Sequence, residues 1–253
     1  MSERQQKILE ILDSQGSVSI AALSELFGCS RVTIRNDIRT LENMGQLSRT
    51  RGGAKRSGQA DSPETSYPSL SRHSGAKQRI AARAYEYIGE NSTIILDDSS
   101  ACYYLAQHIS RHPEKAVAVL TNSLPSASVL AGCSHVQLYL IGGHVGGHLP
   151  ATMGEQTVET IRGVCVDMAF ISVHSINFHV GLTSIGTPQM QIKRAILETT
   201  DKVFVLADSN KFGAGYLEVI CPISDVYRVI TDSGLKHEYV DRAREENLPL
   251  ELC

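Results

Sequence analysis

The sequence has no C-x-x-C pair and no apolar run near the roughly 18–20 residues that a membrane helix needs. The first absence argues against a zinc site or a disulfide framework. Cys29, Cys102, Cys133, Cys165, Cys221 and Cys253 are scattered, mostly in apolar stretches, and read as buried reduced thiols. The second excludes a spanning helix, and a start at Met1-Ser2-Glu3-Arg4 with no apolar h-region predicts a cytoplasmic chain. Internal repeats and low-complexity tracts are missing too. What remains is 253 residues with 42% apolar and 20% charged content, ordinary for a folded chain of two domains.

A strong overall charge is also lacking, but the net −3 hides an asymmetry. Up to Arg56 there are nine Lys/Arg against six Asp/Glu, or +3; the remainder, with 15 against 21, carries −6. Only the N-terminal segment suits nucleic acid. There Ile8, Leu9, Ile11 and Leu12 recur with a helical period. Ser19 then opens a second short helical segment (Ile20, Leu23, Leu26, Phe27), closed by Gly28, and Ser30 caps a third with core face Ile34, Ile38 and Leu41. Two short helices joined at Gly28-Cys29 are a helix-turn-helix layout, and Gln46 to Ala54, alternating around Gly52-Gly53, reads as a wing.

On a helical wheel Ile38 and Leu41 fall within about 40° of Ile34. The opposite arc displays Arg31, Val32, Arg35, Asn36, Arg39 and Thr40, with Thr33 at its border. These are base-reading types: Arg suits guanine, Asn suits adenine, and a methyl-bearing side chain suits thymine. The expected DNA contacts are Ser30, Arg31, Val32, Thr33, Arg35, Asn36 and Arg39, with Arg49 and Arg51 of the wing on phosphates. A winged helix used only for protein contacts would have no need of this basic face.

Residues 58–76, rich in Ser and Gly with Pro63 and Pro68, read as a linker between domains at 1–57 and 77–253. Beyond it helical segments alternate with apolar runs at Thr93-Asp97, Val117-Asn122, Val136-Gly142, Asp167-Val173, Lys202-Asp208 and Arg228-Asp232. That alternation predicts a largely parallel α/β sheet with a ligand beyond the carboxyl ends of its strands. Candidates there are Asp97, Asp98, Ser99 and Ser100 at a strand-to-helix junction, Asn122, the close-approach pair Gly142-Gly143, and the cations Lys193 and Lys211. An anionic, hydroxyl-rich ligand fits them. His144 and His148 are spaced i, i+4, but Val145-Gly146-Gly147 between them reads as loop with no third ligand nearby, so neither metal nor cofactor is expected.

The stretches Arg4 to Leu9, Ser30 to Leu41 and Arg49 to Ala54 resemble the DeoR family of bacterial sugar-metabolism regulators. The resemblance continues through Ile95-Leu96-Asp97, Leu120 to Ser123, Ile141 to Gly143, Asp167 to Ile171, Gly181 to Thr183, Lys193-Arg194, Ala207 to Gly213 and Ile230 to Asp232. It implies a winged helix-turn-helix plus a Rossmann-like sensor domain similar to sugar-phosphate isomerases such as ribose-5-phosphate isomerase. It also implies operator DNA and a sugar or sugar-phosphate effector as partners, a homodimer or homotetramer, and control of a carbohydrate-utilisation operon, usually as a repressor.

Three positions depart from the family pattern. Asn36 stands where the family commonly has arginine. Asp97-Asp98-Ser99-Ser100-Ala101 replaces Asp-Ser-Gly-Thr-Thr, and its adjacent carboxylates would repel a phosphate dianion unless one points away or is protonated. His174-Ser175-Ile176 replaces Asp-Gly-Ile. The competing reading is an isomerase carrying a regulatory head, with Asp97, Asp167 or Lys193 as base. The motifs supply no base with a partnered acid, so a non-enzyme is expected.

Overall fold

A computed structural model describes residues 2–15, 17–44, 46–50, 52–56, 67–147, 149–213 and 215–253. They divide into two units, Met1–Ser62 and Pro63–Cys253.

The first unit runs α1 (Glu3–Gln15), β1 (Ser17–Ser19), α2 (Ile20–Leu26), α3 (Arg31–Asn43), β2 (Leu47–Thr50) and β3 (Gly53–Arg56). Ser19 and Ser30 hydroxyls cap α2 and α3 by accepting from Ala22 and Thr33 N–H groups (3.0 and 3.1 Å), leaving two fewer orphan donors. Gly28, at φ 59°, makes the left-handed turn between them at no steric cost. Ile8, Leu12, Leu23, Ile34, Ile38 and Leu41 close into one core with Leu47 and Ala54 of the wing. The wing strands pair antiparallel, and β1 adds to β3 as a third strand. Three residues of Ser-Val-Ser are too short to show an alternating pattern, so β1 is not legible in the sequence.

The second unit is built on seven parallel strands ordered β15-β14-β12-β9-β4-β5-β6, with β4 Ser92–Leu96, β5 Val117–Thr121, β6 Val136–Leu140, β9 Met168–Ile171, β12 Val203–Leu206, β14 Arg228–Thr231 and β15 Leu250–Leu252. Six of these are the expected runs; β15, three residues long, is not. Alternate residues feed opposite layers: Ile94 and Leu96 face one core, Ile95 the other, as a sheet covered on both sides requires. A smaller antiparallel sheet orders β10 (Ser175–Asn177), β11 (Gly181–Ser184) and β13 (Glu218–Cys221), and β7 (His144–Gly146) pairs with β8 (Ala151–Met153).

Two expectations need correction. Part of the presumed linker is structured: α4 (Pro68–Ser71) and α5 (Ser74–Glu86) lie within it or begin in it. Leu70 is fully buried, and Tyr104 Oη donates to its carbonyl (3.0 Å). A single-turn helix buries one leucine and leaves no periodic signal. Cys165, expected inside, is exposed in the connection before β9, while Cys102 and Cys221 are buried.

Candidate functional site

The N-terminal unit presents the predicted reading face. Arg31, Val32, Arg35, Asn36 and Arg39 are all exposed on α3, and Val32, at 61% exposure, is a large apolar side chain with no packing role. Ser30 and Thr33 behave differently. Their hydroxyls bond each other (2.9 Å) while Ser30 caps the helix, so their first task is to start α3. Arg49 is exposed on β2 and only loosely placed by Glu42, 3.9 Å away. Arg51 lies outside the described residues, as does His148. A pair that the sequence did not single out fixes the helix: Arg4 Nε (2.6 Å) and Gln5 Nε2 (3.1 Å) of α1 both donate to the buried Asp37 carboxylate on α3.

In the C-terminal unit a cleft of about 600 Å³ opens where the strand order reverses between β4 and β9, beyond their carboxyl ends. α6 (Ser100–Arg111) starts at this opening, its first turn capped by Ser99, which accepts from the Cys102 N–H (3.2 Å). Asp98, Ser99, Ser100, Lys193 and Lys211 line the cleft.

Asp97 lies beneath it, fully buried. Its carboxylate takes the Ser172 N–H (2.8 Å), the Ser99 N–H (3.0 Å) and the Lys193 ammonium. Burial alone would push this carboxyl up, but the Lys193 charge and these hydrogen bonds outweigh it and hold the group below its usual range. Lys193, on α9 (Thr187–Leu197), is in turn held above the ordinary lysine value: burial opposes its charge, and Asp97 with Asp98 more than compensates.

The pair answers the problem of adjacent carboxylates. Asp97 points away from the cleft and is neutralised, and the cation expected to balance a ligand is already committed to it. Of these two carboxylates Asp98 faces the cleft, partly buried, and the donor on its side chain is its own backbone N–H. Burial raises its carboxyl, Lys193 opposes that rise and Asp97 reinforces it.

The free positive charge comes from elsewhere. Lys211 Nζ donates to Ser172 Oγ (2.9 Å) and to the Val173 carbonyl (2.6 Å). Lys77 Nζ reaches the Ser69 carbonyl (2.7 Å), and Arg72 and His73 stand at the same wall. Lys77 is pushed down to about 8, first by burial and then by the like charges of Lys211 and Arg72, against the pull of Asp208. His174 is exposed at its edge, but the cleft walls and the charges of Lys193 and Lys211 lower it to about 4, so it is neutral at pH 7.

Three expected contacts do not reach the cleft. Asn122 is buried and donates to the Thr152 carbonyl (3.0 Å), tying β5 to β8. The Gly142 carbonyl accepts from Thr157 Oγ1 (2.9 Å), and a Cβ on Gly143 would lie 2.0 Å from that oxygen, so the bare Cα of Gly143 lets α8 (Glu155–Arg162) approach this turn. The close approach was legible; its partner is a helix, where a ligand was expected. Conversely Arg72, His73, Lys77, His174, Asp208 and Asn210 line the cleft without having been singled out as contacts. Asp208 and Asn210 flank Lys211 in one short motif, the signal that could have found them.

A winged helix with a basic reading face, joined in one chain to a parallel α/β unit with a charged cleft at its strand ends, defines a DNA-binding regulator with a sensor domain. Residues 4–60 match the DeoR-like helix-turn-helix domain, and residues 72–233 match the DeoR C terminal sensor domain. The chain belongs to the DeoR family of transcriptional regulators. It is 31% identical to an uncharacterized HTH-type transcriptional regulator, YulB, of Bacillus subtilis, across 93% of this chain and 90% of the relative. It is 29% identical to a putative aga operon transcriptional repressor of Escherichia coli O157:H7, across 99% and 93%. Among solved structures, a D-ribose-5-phosphate isomerase in complex with phospho-erythronic acid is similar with a TM-score of 0.40 and 13% identity, over 54% of this chain and 53% of that one.

Proposed function

We propose that the chain is a cytoplasmic repressor of a carbohydrate-utilisation operon, released from its operator when a sugar phosphate fills the C-terminal cleft. The observation that carries this reading is the division of charge in the cleft. Asp97 and Lys193 cancel each other underneath, Arg72, Lys77 and Lys211 are gathered on one wall, and the unpaired Asp98 belongs to the side near Lys193. A ligand with an anionic group and a run of hydroxyls satisfies both: the anion meets the cations, and hydroxyls donate to Asp98.

On the DNA side, Arg31, Val32, Arg35, Asn36 and Arg39 read bases in the major groove, and Arg49 contacts phosphate. One such small head offers little surface, so a two-fold assembly, homodimer or homotetramer, matches a palindromic operator. The chain acts as a sensor and catalyses nothing. The lysine best placed to act as a base is held charged by Asp97, and a general base must begin unprotonated.

A thermal-shift panel of free and phosphorylated sugars on the full chain tests the effector class, because a ligand at about 100 times its Kd stabilises the native state by about 2.7 kcal/mol. The expected result is a rise in melting temperature with phosphorylated sugars and little with their free forms. Equal rises with both would remove the anion from the account, and turnover of any sugar phosphate by the purified chain would overturn the non-catalytic reading.

A further inference from the structure

We propose that Tyr67–Lys77, the stretch through which the chain enters the sensor unit from the DNA-binding unit, tightens when the cleft fills, so that occupancy passes toward the DNA-binding unit along the chain itself. This rests on the effector reading of the cleft. Tyr67, Ser69, Arg72, His73 and Lys77 all line it, and all lie close in sequence after Ser62, where the first unit ends.

Tyr67 packs on the core at the start of this stretch and α5 is anchored by Ile80, Ala81 and Ala84 after it, so its loosest point is the turn at Arg72-His73. α4 is a single turn, too short to be stable alone, pinned by Leu70 in the core and by the bond from Tyr104 to the Leu70 carbonyl. His73 occupies the left-handed region at φ 52°, unusual for a residue with a side chain, and bonds α5 through its carbonyl, which accepts from the Lys77 N–H (3.1 Å), while its side chain makes no capping bond. Its ring lies 3.4 Å from Asn210 Nδ2, a long contact. Among the described residues the Arg72 side chain has no hydrogen-bond or ion-pair partner, and the Lys77 ammonium donates to the Ser69 carbonyl within the same stretch.

The charges also work against one another. Lys77 feels both Arg72 and Lys211 as repulsive neighbours, and Asp208 is the carboxylate that offsets them. An anion placed among these cations reverses that repulsion and gives the donors of Arg72 and Lys77 a common acceptor. The turn between α4 and α5 is then tied at both ends by the ligand. Binding and stiffening become one event, with no shift of the sheet required.

The test is hydrogen exchange on the full chain with inorganic phosphate as the probe, at about ten times the Kd found by calorimetric titration, against chloride at matched ionic strength. At about ten times Kd, linkage predicts roughly tenfold slower exchange for amides that open only in the unliganded form. The expected result is that slowing across residues 67–77, with Arg72→Gln losing it there while the remaining phosphate-induced stabilisation still protects Ser99–Ser100 and Ser172–His174. Stabilisation by phosphate that protects only those latter segments would overturn the inference and leave the cleft as the effector site. Absence of any stabilisation by phosphate would overturn it as well, since the tightening is argued from Arg72 and Lys77, whereas a sugar that then raised the melting temperature would still uphold the effector reading.

Discussion

In each unit a carboxylate is held by a cation from a distant part of the sequence, yet the two pairs sit in opposite surroundings. In the reading head Arg4 meets Asp37, 33 residues on, at a rim where the arginine side chain is 37% exposed. In the sensor Lys193 meets Asp97 across 96 residues, and neither side chain is more than 4% exposed. A rim pair is screened and adds little stability, but its fixed geometry can aim a helix. A buried pair gains little net stability once desolvation is counted, yet removing one partner leaves a naked charge inside. The first arrangement suits a surface that must present α3 at one angle. The second leaves the floor of the cleft without net charge.

Mutation should separate the two pairs most sharply at the buried one. Asp97→Ala leaves the Lys193 ammonium inside without its partner and should cost the sensor unit about 3–5 kcal/mol, read by urea unfolding. A loss under 1 kcal/mol would mean that water reaches the pair. The same carboxyl is held below its ordinary value of 3.8, so the stability it adds is present above that pH and is lost on acidification below it.

Next in size, Arg35→Ala should lower operator affinity by about 1–3 kcal/mol if the guanidinium reads a base, with little change in binding to random duplex. An equal loss on both duplexes in a footprinting titration would reassign it to phosphate contact.

A smaller effect concerns pH. An anion raises the value of Lys77 from its unliganded level near 8, so affinity for an anionic ligand should be complete below that pH and fall as pH rises through it, by up to about tenfold per unit until the liganded value is reached. Calorimetric titrations across this range should give a flat line for Lys77→Met; a slope retained in that variant would place the titration on another group.

The least change in stability is expected from Asp37→Asn, which keeps the shape of the buried side chain and leaves a partly exposed arginine. The melting temperature should drop far less than with Asp97→Ala, while operator affinity falls as α3 loses its tie to α1. Unaltered operator affinity would leave the rim pair without an aiming role.

The sequence was legible where one element carries its own evidence. Ile34, Ile38 and Leu41 set the buried face of α3 and so expose Arg31, Val32, Arg35, Asn36 and Arg39. Six apolar runs likewise gave six parallel strands, because a strand covered on both faces is continuously apolar. What escaped was whatever depends on distant partners. Nothing near Lys193 in the chain says that Asp97 claims it, and nothing near Gly143 says that Thr157 must fit against it. Arg72 and Lys77 were read as linker or its edge because a single turn anchored by Leu70 has no period to detect.

Fluorescence anisotropy decides whether filling the cleft governs operator binding. Labelled duplex from the chain's own genomic neighbourhood is titrated at fixed moderate salt, with and without whichever sugar phosphate stabilises the sensor most. Markedly weaker operator binding with the ligand present, and unchanged binding to random duplex, is the result expected. Identical operator titrations at a concentration that saturates the cleft would show that the sensor does not control the reading head.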